Sequence, residues 1–160
     1  MDTKSLLNLN SVEPFNAKQL YKKVIAEFDN YKTKLFVIDS LAESSLSRNM
    51  ESREEQKNGN SDKTFSLVLK REKLLEQVKK FEGKIEYAKS TFTKDEMILF
   101  NHSILEREID KVIMDDMAKY ERTYSKIKKS CYAKIALSLG LIHLKDSIEN
   151  KVQMVAPIYE

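Results

Sequence analysis

The chain is poor in the residues that make tight turns, with three Gly and two Pro in 160 positions. Sandwiches, barrels and doubly wound sheets need such residues at many corners, so their scarcity argues against all three and leaves helices as the default. Cysteine is almost absent. Cys131 stands alone, which excludes an intramolecular disulfide framework and fits a reducing cytosol. No run of about 18 apolar residues occurs, so no segment is expected to span a bilayer. Met1 to Glu13 lacks the basic-then-apolar pattern of a signal peptide.

Catalytic and cofactor chemistry is equally thin. No Gly-rich phosphate loop and no Ser-His-Asp set can be assembled. The two histidines, His102 and His143, have no metal-ligand spacing around them. Glu106, Glu108 and Asp110, like Asp115 and Asp116, read as solvated acidic faces rather than cation sites. Cys131 falls on an inward stripe and reads as a small core residue, not a nucleophile. Neither an enzyme, a cofactor nor a bound metal is expected.

What the chain does hold is charge and helical rhythm. Charged residues make up 33% and hydrophobic residues 41%, so a core requires helices that share it along stripes. Residues 1–15 read as a flexible lead-in. Asn16 with Gln19 resembles a capping box, with Pro14 upstream. Tyr21, Val24, Phe28, Tyr31, Leu35, Ile38 and Ala42 then recur at alternating spacings of three and four. That rhythm is the seam of a coiled-coil-like helix over about residues 17–42. Tyr21 and Tyr31 fall in the seam, so they read as core residues rather than stacking platforms.

Residues 43–62 are polar, contain Asn58-Gly59 and offer only Leu46 and Met50 for burial. They predict a flexible loop. A second helix is expected over about 63–89, where Leu67, Leu74, Val78, Phe81, Ile85 and Ala88 keep the rhythm and Arg71 fills one gap. Gly83 weakens that helix by roughly 1 kcal/mol without ending it. Two such stripes joined by a long loop fit a long antiparallel helical hairpin, and equally the interface of a homodimer. Thr93 with Glu96 is a second capping box. It opens a series of helices over about 94–105, 108–117 and 121–139, and Gly140 sits where a helix C-terminus favours a left-handed residue. The organisation is therefore lead-in 1–15, helical region 16–92, a C-terminal domain 93–145 and a mobile tail 146–160.

The constellation with functional meaning lies in that domain. A short helix, the turn Ala118-Lys119-Tyr120 and a longer helix opening on Glu121-Arg122-Thr123-Tyr124 have the helix-turn-helix layout. Tyr124, Ile127, Cys131, Ile135 and Leu139 make the inner stripe. Arg122, Ser125, Lys126 and Lys129 then face outward, with Lys119 and Lys128 on the flanks. Residues 119–134 hold six Lys/Arg against one acid, whereas 94–117 hold three against seven. A basic helix braced by an acidic one directs positive potential to one face, which suits a polyanion. Arg122, Ser125, Lys126 and Lys129 are the candidates for base edges in the major groove. Thr123, Lys119, Lys128 and Lys134 are the candidates for phosphates. Tyr120 stands where Ser or Thr commonly caps a recognition helix, and Met114 where a small Ala is common.

The stretch KVIMDDMAKYERTYSKIKKSCYAKIALSLGL resembles bacteriophage late-transcription regulators of the ArpU and RinA type. Glu121-Arg122-Thr123-Tyr124, Lys126-Ile127-Lys128-Lys129 and Ala136-Leu137-Ser138-Leu139-Gly140 carry the resemblance, which covers about the last third of the chain. It implies a helix-turn-helix like region 4 of sigma factors and binding to double-stranded promoter DNA in the host cytoplasm, at the nucleoid. It also implies activation of late, packaging or morphogenesis genes, with host RNA polymerase as a partner. The combined expectation is an all-α chain, a long antiparallel hairpin followed by that helix-turn-helix, acting as a sequence-specific activator. Two other readings stand beside it: a small terminase subunit, and a helical interaction module that does not bind DNA.

Overall fold

Helices account for every named element among the described residues. The structure, a computed structural model, describes residues 4–51 and 60–146, with side chains over 4–43 and 63–146. A 3-10 turn at Leu9–Ser11 precedes α1 (Ala17–Glu51), α2 (Asn60–Ser90) and α3 (Lys94–Leu99). One wide π turn, Phe100–Leu105, continues α3, and α4 (Asp110–Asp116) and α5 (Glu121–Leu139) follow. The all-α expectation holds. Among the described residues, the nearest approach to a strand is a single antiparallel bridge between Val12 and Leu144. No described helix is long and apolar enough to cross a membrane.

Local chemistry sets the helix ends. Asn16 Oδ1 accepts from the Gln19 amide at 3.2 Å. Thr93 Oγ1 accepts from the Glu96 amide at 3.2 Å, and Glu96 Oε1 accepts from the Thr93 amide at 3.3 Å, closing the capping box. At the end of α5, Gly140 takes φ 75°, and the amides of Gly140 and Leu141 bond back to Leu137 and Ala136. The end of α4 repeats this Schellman pattern, with Ala118 at φ 52° and the Lys119 amide bonded to the Met114 carbonyl.

The first two helices differ from the sequence expectation in length. α1 continues to Glu51 and α2 begins at Asn60, so helical backbone occupies much of the segment 43–62 expected to be loop. Polar composition forecasts poor burial, but it does not stop a helix. No Gly or Pro intervenes before Gly59, and propagation from an existing helix is nearly free. The rest of that loop, 52–59, lies outside the described residues, as does the tail expected beyond Asp146.

The chain divides into two compact units, one formed by Met1–Ala26 with Lys84–Glu160, the other by Glu27–Gly83. In the first, α5 is the central element. Ser130, Cys131, Tyr132, Ala133, Ile135 and Ala136 are all buried, which takes in the whole circumference of the helix. Leu99, Phe100, Ile104 and Ile113 add fully enclosed side chains. Within residues 4–16, Val12 is buried and the Leu7 amide donates to Ser130 Oγ at 2.7 Å. Glu13 and His143 exchange bonds at 3.0 Å, the Glu13 amide to the His143 carbonyl and the His143 amide to Glu13 Oε1. Backbone bonds of this kind leave no apolar signature, so the sequence did not reveal them.

In the second unit the seam residues meet. Phe28 packs edge-on against Phe81 at 5.2 Å between ring centroids, and Tyr31 stacks on the same ring at 4.8 Å. The Tyr31 hydroxyl donates to Glu82 at 2.7 Å. Arg71, the polar interruption of the seam, has its Nε enclosed without a hydrogen-bond partner.

Candidate nucleic-acid interface

The first turns of α5 differ from the rest of that helix. Tyr124 and Ile127 point into the core, while Glu121, Arg122, Thr123 and Lys126 are exposed and Ser125 and Lys129 half-exposed. At 100° per residue, Arg122, Ser125, Lys126 and Lys129 share one face. Between Ser130 and Ala136 burial closes that face, with Ala133 and Ala136 both enclosed. Among the described residues, Arg122, Lys126 and Lys129 make no ion pair and no hydrogen bond. Ahead of them Tyr120, the residue preceding the helix, is 88% exposed, and its side chain makes no capping bond.

The other expected cations are engaged. Lys134 Nζ donates to the Ser5 carbonyl at 2.8 Å, the Thr91 carbonyl at 2.7 Å and Glu96 Oε1 at 2.7 Å. An ammonium has three N–H groups, so none is left for a phosphate, and the expectation for Lys134 is corrected. Lys128 Nζ lies 2.8 Å from both oxygens of Asp110 and 4.6 Å from the centroid of the Tyr21 ring. Its side chain is only 15% exposed. It too belongs to the fold rather than to an outer ligand. Lys119 pairs with Asp95 at 3.4 Å while staying half-exposed.

These contacts show what the charge sorting along the chain does. Asp95, Glu96 and Asp110 of the acidic segment take Lys119, Lys134 and Lys128 of the basic one. Lys134 and Lys128 are thereby taken up in holding the elements together, Lys119 is paired but half-exposed, and Arg122, Lys126 and Lys129 remain unpaired. Glu96, missed as a core residue, is fully buried and also accepts from Ser130 Oγ at 3.2 Å. Its one visible signal was the capping box, which speaks to the helix start and not to a buried ion pair.

Asp110 organises a tyrosine cluster. The Tyr124 hydroxyl donates to Asp110 at 2.7 Å, Tyr132 shares a 2.8 Å bond with Ser103, and the Tyr21 and Tyr132 rings lie 4.6 Å apart. Burial tends to raise the Asp110 carboxyl, but the bonds from Lys128 and Tyr124 outweigh it and hold it below the usual range. Burial, with neighbouring Tyr132 and Asp110, pushes Tyr21 up to about 12. Tyr132 is likewise raised to about 12, mainly by burial, and Tyr124 is raised by burial and by its bond to Asp110. Burial also raises the Cys131 thiol well above its ordinary value, which makes it unreactive.

Among the described residues, one group offers converging metal-ligand atoms: His102, Glu106 and Glu108, at the end of the π turn. Comparison with family models, curated proteins and solved structures finds no match to this chain.

Proposed function

We propose that the chain is a sequence-specific DNA-binding protein in which α4, the turn after it and α5 act as a helix-turn-helix. The observation that carries this reading is the unpaired cationic face of Arg122, Lys126 and Lys129 at the start of a helix whose opposite side is locked into the core. Groove-reading helices contact base edges from their N-terminal turns while a preceding helix braces them. The Asp110 bonds to Tyr124 and Lys128 supply such a brace. Ala118 in the left-handed region supports the sharp turn, at a place where such motifs often carry Gly. Arg122, Ser125, Lys126 and Lys129 are assigned to the groove, and Thr123 and Lys119 to its rim.

The likeness to phage late regulators makes promoter activation the preferred role, with RNA polymerase as partner. α1 and α2 act as an antiparallel hairpin within one chain, a pairing supported by Phe28 and Tyr31 meeting Phe81. The test is fluorescence anisotropy with a selected duplex and a scrambled one at several salt concentrations. Arg122→Ala costs about 1–3 kcal/mol on the selected duplex and less on the scrambled one. Equal loss on both defeats the base-reading role, and salt-independent or absent binding by the unaltered chain defeats the proposal.

A second reading, a helical interaction module, is favoured by Phe36 and Phe65, exposed by 73% and 66%. Substitution of both to Ser that abolishes a partner complex, in a chain with no affinity for DNA, supports it instead.

A further inference from the structure

We infer that His102, Glu106 and Glu108 form a site for one divalent cation of the zinc class. His102 Nδ1 lies 3.0 Å from Glu108 Oε2 and 3.4 Å from Glu106 Oε2, and all three ligand atoms lie within 4.8 Å of one another. Zinc bonds of about 2.0–2.2 Å set neighbouring ligands roughly 3.0–3.4 Å apart, depending on coordination number. Two of the separations already match.

The backbone makes this convergence. The Glu106 amide bonds to the Asn101 carbonyl at 3.0 Å and the Glu108 amide to the His102 carbonyl at 2.9 Å. These spans are wider than an α turn, and they return residues 106 and 108 to the same imidazole. An imidazole Nδ1 carries at most one proton, so it can donate to one of the two carboxylates and not to both. A cation among them satisfies all three groups together.

The donor set selects the ion. One nitrogen and two carboxylate oxygens suit zinc and its transition-metal neighbours, whereas magnesium and calcium prefer oxygen alone. His102 and Glu108 side chains are each 32% exposed and Glu106 55%, which leaves an open side for water to complete the shell. The cation would pin the connection between the π turn and α4, which begins at Asp110. Neither the bound ion nor its effect depends on the DNA-binding reading.

The experiment titrates the metal-free full chain with zinc chloride, and separately with magnesium chloride, by calorimetry. The expected result is one equivalent of zinc bound and no magnesium. His102→Ala and Glu108→Gln each weaken zinc about ten-fold or more, and His143→Ala leaves it unchanged. Glu106→Gln, at the most exposed ligand, repeats the test in a variant with little to lose in folding. Backbone amide resonances of residues 101–109 should shift on zinc addition. Absence of zinc binding overturns the site, and so does binding of undiminished strength in His102→Ala.

Discussion

At the scale of single residues, lysines of one sequence region have different fates. Lys134 meets a fully buried carboxylate, so Lys134→Ala strands Glu96 as an unpaired buried charge. A loss of about 3–5 kcal/mol in denaturant unfolding is expected. A loss under 1 kcal/mol would mean that water reaches Glu96. Asp110 gives a pH signature. Its folded value is lowered, so its contribution is present above the ordinary carboxylate range and disappears as pH falls through the folded value. Asp110→Asn should therefore flatten the acid limb of a melting-temperature profile below about pH 4; an unchanged limb contradicts the pairing. Tyr21 and Tyr132 behave in the opposite sense. With folded values near 12 against an ordinary 10, their contribution is complete below pH 10 and is lost as pH rises through 12. Ultraviolet titration of the phenolates checks it against Tyr21→Phe.

At the scale of elements, the local signals were readable because each involves neighbours within a turn. The Thr93–Glu96 box, the inner stripe of Tyr124, Ile127, Cys131 and Ile135, and Gly140 as terminator all stand where their spacing puts them. α1 overran its expected end because the polar run beyond Ala42 contains nothing that breaks a helix. The two Schellman ends form a matched pair for experiment. Ala118→Gly relieves a left-handed alanine and should stabilise by about 1 kcal/mol. Gly140→Ala introduces the same strain and should cost about 1 kcal/mol. Thermal unfolding of the two variants side by side decides it, and shifts of the same sign would contradict the turn geometry.

At the scale of the whole molecule, α5 combines two tasks. Its second half fills the core of one unit, and its first two turns leave a cationic face to solvent. On the proposed DNA-binding reading, stability and nucleic-acid affinity are separable by substitution. Arg122→Ala with Lys126→Ala should leave the melting temperature within about 0.5 kcal/mol equivalent and remove DNA binding. Lys119→Ala, at the rim of the proposed groove, should lower the salt slope by about one unit. A variant pair that unfolds the chain instead would place these side chains in the core network.

Composition and spacing alone determined that the chain is helical, where α3 and α5 start, and which side of α5 turns inward. Those properties depend on hydrogen bonds and periodicities spanning about four residues. Tertiary structure decided which cations are free, because Lys134 and Glu96 are 38 positions apart and Lys128 and Asp110 are 18 apart. It also brought His102 against Glu106 and Glu108, since the π turn that aligns them carries no recognisable residue code. A count of charges cannot say which will find partners, for pairing is a matter of distance in space and desolvation, and neither is written along the chain.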